Sequence, residues 1–174
     1  TEAALKLERL AENVPTRMQP DLLAQAAQAW MLDNQPDKAY AAQTRALGLN
    51  GKNVELWIDR AVTLANQQKY WEAIDDLNAA HDLAPNRPDV LIYRAAAYRY
   101  VEVPDLARDD IDRALTLAPG NPEGLLERGI LKRLAGDNEG AREDWLTVLR
   151  SVPDSPAAAI AQRNLEKMDV ETGG

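Results

Sequence analysis

The chain has 174 residues, of which 45% are hydrophobic and 28% charged, and its formal net charge is −8. This length suits one domain with a sizeable core. The acidic balance argues against a dominant surface for nucleic acid or anionic membranes, which would need clustered Lys and Arg. There are no cysteines and His81 is the only histidine. Disulfides, thiolate catalysis, cysteine-ligated zinc and a multi-histidine metal site within one chain are thereby excluded. We expect no metal and no cofactor, and no apolar run approaches the length that spans a bilayer.

The compartment stays unassigned. The chain begins at Thr1 rather than Met, and we expect it to be a processed or engineered piece of a longer protein, in which targeting signals cannot be judged. A protein without cysteine fits both the cytoplasm and the periplasm, so this feature does not choose between them.

Helical periodicity covers most of the chain. Residues 2–14 carry an apolar stripe at spacings of three and four, which predicts a helix. That helix is either the second helix of an earlier repeat or a cap, or it folds back as an intramolecular ligand. Helix pairs are predicted in residues 20–53, 54–87, 88–121 and 122–155, and in each pair we name the first helix A and the second B. A final helix, 156–169, is expected to cap the last pair, and the tail from Glu171 to Gly174 is expected to be disordered.

Proline and short polar residues mark where these helices begin. Proline suits the first helical turn, where its missing N–H has no intrahelical partner, and it stands at the start of helices at Pro36, Pro88, Pro104, Pro122 and Pro156. Side chains that can cap a helix precede three of the predicted helices, at Asn53, Asn121 and Asp137.

A shift of 34 residues superimposes small residues on small residues. The three columns are Ala27, Ala61, Ala95 and Gly129; Ala39, Ala73, Ala107 and Ala141; and Ala46, Ala80, Ala114 and Val148. The closing position holds Gly51, Pro85, Pro119 and Pro153. Two antiparallel helices joined by a short turn must cross closely, so the crossing points need small side chains. A fixed interval of this size predicts a stacked helical array.

Charged residues recur at the same interval. Arginine occupies one position of helix A (Arg60, Arg94 and Arg128) and aspartate one position of helix B (Asp76, Asp110 and Asp144). We expect each arginine to bridge to the aspartate of its own helix pair. Chemistry is not normally repeated once per repeat, so we interpret these as structural pairs rather than catalytic ones.

The columns resemble the tetratricopeptide repeat family. The matching features are a large residue at the fourth position (Trp57), a small one at the eighth, alanine at the twentieth and twenty-seventh, and proline at the thirty-second. The resemblance covers residues 20–153. It departs from the family pattern at Gln43, Gly51, Val148 and Lys132, where a Tyr is common.

This resemblance implies an all-α, right-handed superhelical solenoid of antiparallel helix pairs: a single domain over residues 1–174 with four repeats, an N-terminal helix and a C-terminal capping helix. It also implies a concave groove lined by the second, fifth, ninth, twelfth and thirteenth positions of helix A. The expected groove residues include an acidic row and an apolar floor with two arginines: Glu55, Asp89 and Glu123; and Ile58, Val62, Ile92, Ala96, Arg99, Tyr100, Leu126, Ile130 and Arg133. Leu134 and Lys167 occupy equivalent positions.

We interpret the chain as a non-enzymatic protein–protein interaction adaptor that binds a peptide or helical segment of a partner in this groove. Apolar anchors on the segment, with Lys or Arg beside them, would suit the floor and the acidic row. The alternative is a self-assembling structural scaffold, and hence a homo-oligomer, that uses its ends or convex face. The carboxylate clamp of chaperone-binding family members is absent, because this chain has Ala24, Gln28, Asp59, Asp89 and Tyr93 at those positions.

Overall fold

The computed structural model describes residues 1–172 and, within them, contains ten α-helices, one short 3-10 helix (Thr16–Met18) and no strand. The α-helices are α1 (Glu2–Glu12), α2 (Gln19–Leu32), α3 (Pro36–Leu49), α4 (Val54–Asn66), α5 (Tyr70–Leu83), α6 (Pro88–Tyr100), α7 (Pro104–Leu117), α8 (Pro122–Leu134), α9 (Asn138–Ser151) and α10 (Pro156–Thr172). The predicted caps are confirmed: the side chains of Asn53, Asn121 and Asp137 accept hydrogen bonds from the backbone N–H groups of Glu55, Gly124 and Gly140.

The chain divides into two compact units, Thr1–Pro85 and the remainder from Asn86 onward. In the first unit α1 packs on α2, α2 pairs with α3, α3 contacts α4, and α4 pairs with α5. In the second unit α6 pairs with α7 and α8 with α9, while α6 contacts α8, and α10 packs on both α8 and α9. The predicted all-α architecture of packed helix pairs is therefore confirmed. The number of repeats and the single domain over residues 1–174 remain predictions.

The two helices of each pair cross at the predicted alanine columns. Among the eight residues of the two B-helix columns, none exposes measurable side-chain surface. Larger side chains fill the space between the crossing points, such as Leu77 in α5 and Ile111 in α7. In the second unit these residues join one hydrophobic core that extends through α10, where Leu165 and Met168 are buried.

Every A helix of a pair ends in the same left-handed turn. The second residue after the helix has positive φ, and these residues are Asn34 (55°), Gln68 (61°), Glu102 (59°) and Gly136 (87°). The next residue then donates its N–H across the turn to a carbonyl of the last helical turn, with N–O distances of 2.9 Å in all four pairs. This is a Schellman motif, which satisfies carbonyl groups that the helix end leaves without partners. Of these four residues, Gly136 and Asn34 are of types that commonly adopt this conformation.

Helix α1 packs as a helix B would. Its buried residues, Ala4 and Ala11, are seven apart, as are the two column residues of each B helix. Ala4 belongs to the same hydrophobic cluster as Trp30 of α2, and Ala11 to the same cluster as Ala46 of α3. Leu32, at the thirteenth position of the first repeat, stays exposed. Of the two roles predicted for α1, the structure matches the helix of an earlier repeat or cap.

The expectation of a disordered tail is wrong for its first two residues. Glu171 and Thr172 belong to α10, and the Glu171 carboxylate pairs with Arg133 of α8. The predicted cap therefore extends three residues beyond position 169. The last two residues of the predicted tail, 173–174, lie outside the described residues.

Gly129 of α8 and Trp145 of α9 face each other, and each fits only because of the size of the other. A Cβ built on Gly129 of α8 would lie 2.4 Å from Nε1 of Trp145 in α9, closer than real Cβ contacts come. The indole is held there, because its Nε1–H donates to the carbonyl of Leu126 at 3.2 Å. Glycine at this column position thus makes room for tryptophan where the second and third pairs combine alanine with Leu77 and Ile111.

We predict opposite effects from two substitutions at the left-handed turn. Glu102→Gly should stabilise the fold by about 1 kcal/mol, because left-handed backbone costs a residue with a side chain of that order. Gly136→Ala should destabilise it by about 1–3 kcal/mol for the same reason. Urea unfolding measures both, and equal effects of the same sign would contradict the explanation.

We also predict that Gly129→Ala, which restores alanine to its column, destabilises the protein by about 1–3 kcal/mol through overcrowding. In a Trp145→Leu background the same substitution should become neutral or stabilising, because alanine favours a helix over glycine by about 1 kcal/mol. A double-mutant cycle followed by urea unfolding measures this coupling. An equal cost in both backgrounds would show that the indole is not the cause.

Candidate functional site

The A helices of the second unit form one layer, which we call the A-helix layer: α6, α8 and α10, with α6 and α10 each in contact with α8. The groove residues predicted for this unit all lie on α6 and α8. Because adjacent A helices lie side by side, residues that point toward a neighbouring helix are buried and residues that point out of the layer are exposed. The predicted groove residues therefore fall into two groups, one buried between helices and one exposed.

The fifth-position residues are part of the core. Ile58, Ile92 and Leu126 expose only 7%, 6% and 9% of their surface, and the last two belong to the core of the second unit. The Cδ1 atom of Ile92 lies 3.4 Å from the place that a Cβ on Gly124 would occupy, so it packs directly on α8. These side chains hold the layer together and offer a ligand almost no surface.

Apolar surface is exposed instead at the ninth and thirteenth positions. Val62 of α4 is 37% exposed, Tyr100 of α6 is 55% exposed, and Leu134 of α8 is 70% exposed. Ala96 and Ile130 are half-buried. The exposed apolar face of the A-helix layer thus lies toward the C-terminal ends of α6 and α8.

The members of the acidic row differ in exposure and in their ion pairs. Glu55 and Glu123 are exposed, whereas Asp89 forms an ion pair with Arg87 just before α6, with Nε 3.0 Å from Oδ1. Burial tends to raise the pKa of Asp89, but the hydrogen bonds from Arg87 outweigh it and hold the pKa below its ordinary value. In the first unit, burial and then the nearby charge of Glu55 raise the pKa of Asp59.

The two arginines of the predicted groove both have partners inside the unit. Arg99 of α6 donates from Nε to Oε1 of the buried Glu127 at 2.5 Å and lies 4.4 Å from the centre of the Tyr100 ring. Burial acts to lower the pKa of Arg99, but the bond to Glu127 raises it on balance. Arg133 of α8 donates to Oδ1 of Asn138 at 2.7 Å and pairs with Glu171. Both guanidinium groups therefore tie helices together.

A cavity of about 410 Å³ opens between α8, α9 and α10. Its apolar lining comes from Ile130, Leu134, Trp145 and Met168, and its polar lining from Arg133, Asn164, Lys167 and Glu171. A second cavity, of about 300 Å³, lies on the other side of Leu134 and is lined by Arg99, Glu102, Pro104, Arg108, Leu131, Leu134 and Ala135. The sequence indicated Leu134, but Trp145 and Met168 carried no signal beyond that of core residues.

The structure brings together each of the three arginine–aspartate pairs. In each, the arginine donates from Nε and from a terminal nitrogen to both carboxylate oxygens of an aspartate in the same helix pair, over 2.6–2.8 Å. The carboxylates of Asp76, Asp110 and Asp144 are buried. This two-point geometry fixes the orientation of helix A on helix B.

The third pair contains an additional cation. Lys132, which stands where the family commonly has tyrosine, lies 2.9 Å from Asp144. Burial tends to raise the pKa of Asp144, but hydrogen bonds from Arg128 and Lys132 lower it on balance. The departure at Lys132 thus adds a second positive charge to a buried carboxylate.

Residues 1–172 contain no group of three or more His, Asp or Glu side chains placed to hold a metal ion. In the same residues, no helix is long and apolar enough to cross a membrane.

Comparison with solved structures identifies the fold as that of the tetratricopeptide repeat proteins. A tetratricopeptide repeat protein from Parabacteroides merdae ATCC 43184 aligns with a TM-score of 0.80 at 18% identity, over 95% of this chain and 65% of the other. MamA aligns with a TM-score of 0.72 at 16% identity, over 84% and 85%. YrrB, described as having an unusual peptide-binding site, aligns with a TM-score of 0.67 at 18% identity, over 94% and 86%. No family model matches the chain, and no curated protein sequence matches it significantly.

We predict that Asp144→Asn lowers stability in a pH-dependent way. Because the folded pKa of Asp144 lies below its ordinary value, its carboxylate stabilises the fold above the unfolded pKa, and this contribution is lost as pH falls through the folded pKa. We expect a loss of about 2 kcal/mol near neutral pH, which is typical of a hydrogen bond to a charged group. The gap to the unmodified protein should shrink below about pH 4.

Urea unfolding across this pH range measures the effect. The control is Asp109→Asn, which makes the same change at an exposed position of α7 and should leave stability nearly unchanged. A gap that stays constant down to acid pH would show that the lost charge is not responsible.

Proposed function

We propose that this chain is a non-enzymatic protein-interaction adaptor that binds a segment of a partner on the exposed face of the A-helix layer. The observation that supports it most is the placement of Leu134, which is largely exposed and separates two cavities on that face. A large apolar side chain beside concave, partly apolar surface is typical of a protein-binding site. Tyr100 adds a second exposed anchor on the neighbouring helix.

Structural neighbours that bind peptides support a partner that binds through a short segment. The first TPR domain of Spaghetti (RPAP3), solved with an HSP90 peptide, aligns with a TM-score of 0.60 at 24% identity, over 70% of this chain and 94% of the other. The second TPR domain of human RPAP3 was solved with an HSP70 peptide. The carboxylate clamp is absent from this sequence, so we propose a different kind of segment from those that end in a clamped carboxylate.

The packing changes which residues we propose as contacts. On the A-helix layer, Ala96, Tyr100 and Ile130 remain candidates for apolar contact, with Leu134 added, while Ile92 and Leu126 are assigned to the core. The exposed Glu123 remains a candidate for Lys or Arg of the partner. In the first unit, taken by itself, Val62 and Glu55 keep these two roles and Ile58 is assigned to the core. Three predicted contact residues already form intramolecular ion pairs: Arg99, Arg133 and Asp89. A partner would have to share or break these ion pairs to bind there.

A matched pair of variants tests this proposal. Leu134→Gln removes apolar surface from the A-helix layer, and Leu117→Gln makes the same change at an exposed position of the B helix α7. Leu and Gln have similar helix propensity, so both variants should fold, as circular dichroism would check. We expect proteins captured from the native extract by the unmodified chain to be depleted about tenfold or more by Leu134→Gln only, as for loss of an interface anchor.

An unchanged set of captured proteins with Leu134→Gln would reject the A-helix layer as the binding face. If Leu117→Gln alone reduced capture, binding would be assigned to the B helices. The self-assembling scaffold, in which Trp71 of α5 is an exposed candidate contact, predicts instead that the molar mass in solution rises with protein concentration.

A further inference from the structure

The apolar lining with exposed surface in the cavity between α8, α9 and α10 comes from Leu134 and the half-buried Ile130. Beneath them lies a buried apolar base, where the Trp145 indole is 2% exposed and is held by its hydrogen bond to the Leu126 carbonyl and by the close approach of Gly129. Met168 of α10 is buried beside it. The volume of about 410 Å³ lies in the lower part of the range that ligand pockets occupy, which suits one large side chain and the groups next to it.

The charges around this base are unequal. The lining contains two cations, Arg133 and Lys167, and one anion, Glu171. Arg133 and Glu171 neutralise each other in an ion pair. Lys167 is exposed and has no carboxylate partner among residues 1–172. The cavity thus has one surplus positive charge in a chain whose formal net charge is −8.

We propose that this cavity binds a large apolar side chain of a partner segment that carries an Asp or Glu next to it. The apolar side chain would pack on Leu134 and Ile130, above the buried Trp145, and the carboxylate would pair with Lys167. This deepens the proposed adaptor function and rests on it. The surface at the C-terminal end of α8 would then prefer an acidic segment. The exposed Glu123, at the N-terminal end of α8, would prefer a basic one.

The position of Glu171 makes it a competitor for the partner. Its carboxylate lines the same cavity and is bound to Arg133, so it occupies a cation that a ligand carboxylate could otherwise use. Removal of this negative charge should therefore tighten the binding of an acidic segment. A cavity whose role is only structural would show no such gain.

The test is a nuclear magnetic resonance titration of the full ¹⁵N-labelled chain with three blocked tetrapeptides: acetyl-Gly-Asp-Leu-Gly-amide, acetyl-Gly-Lys-Leu-Gly-amide and acetyl-Gly-Asp-Gly-Gly-amide. We expect the Asp-Leu peptide to shift the Trp145 indole N–H signal and the backbone signals of Ile130, Leu134, Asn164 and Lys167. The Lys-Leu and Asp-Gly peptides should bind at least threefold more weakly, because each lacks one of the two interactions.

Three variants then test the charges. Lys167→Gln should weaken the binding of the Asp-Leu peptide, and Glu171→Gln should strengthen it, each about two- to fivefold, as is typical of partly exposed charge pairs. Lys52→Gln, at an exposed lysine outside the cavity lining, should leave it unchanged. Equal binding of the Asp-Leu and Lys-Leu peptides, or shifts confined to other surfaces, would overturn the proposal, as would a weaker Glu171→Gln complex.

This result is separable from that of the capture experiment. If Leu134→Gln abolishes capture but the Asp-Leu peptide does not bind the cavity, the adaptor function stands and the assigned ligand is wrong. If the peptide binds as expected but Leu134→Gln captures the same proteins, the cavity is a ligand site and the A-helix layer is rejected as the face that captures these proteins.

Discussion

The close crossing of paired helices at alanine is the constraint on which the rest of the structure depends. Where Ala39 and Ala46, or Ala107 and Ala114, lie completely buried between two helices, the small side chains let the two backbones approach closely. In that arrangement an arginine of helix A reaches both oxygens of a buried aspartate in helix B. The ion pairs stabilise the helix orientation, but the small residues make the pairing geometrically possible.

This constraint explains why departures from the repeat pattern come in compensating combinations. Trp145 is larger than the residues at the same position of α5 and α7, and Gly129 opposite it is smaller than the alanine it replaces. Lys132 departs from the family pattern and finds the carboxylate of Asp144, which already belongs to the repeated ion pair. Gly51 lacks the closing proline, and its carbonyl accepts a hydrogen bond from the Trp57 indole at 2.9 Å. The first exception preserves close packing at the crossing, and the other two give the departing residue a polar contact.

Much of the fold could be predicted from the sequence because its signals are local and repeated. Proline at the first helical position fixes the starts of α3, α6 and α7, and a fixed 34-residue interval turns weak single positions into columns. The left-handed turns after α4 and α6 could not be predicted from the sequence, because Gln68 and Glu102 adopt positive φ at positions where glycine would be expected. There, hydrogen bonds across the turn override the preference of the individual residue.

The candidate site was less predictable, because exposure depends on the neighbouring helix rather than on repeat position. An isoleucine at the fifth repeat position could face either the surface of the layer or the next helix. Ile92 is buried because it packs against α8. Similarly, the sequence shows that Arg99 and Arg133 are cations but not that Glu127 and Glu171 lie within reach. Once those pairs form, the charge that a partner meets is no longer that of the sequence pattern. In the cavity beside Leu134 it is the charge of Lys167, and this residual charge, not the net charge of −8, sets the electrostatic preference of that surface.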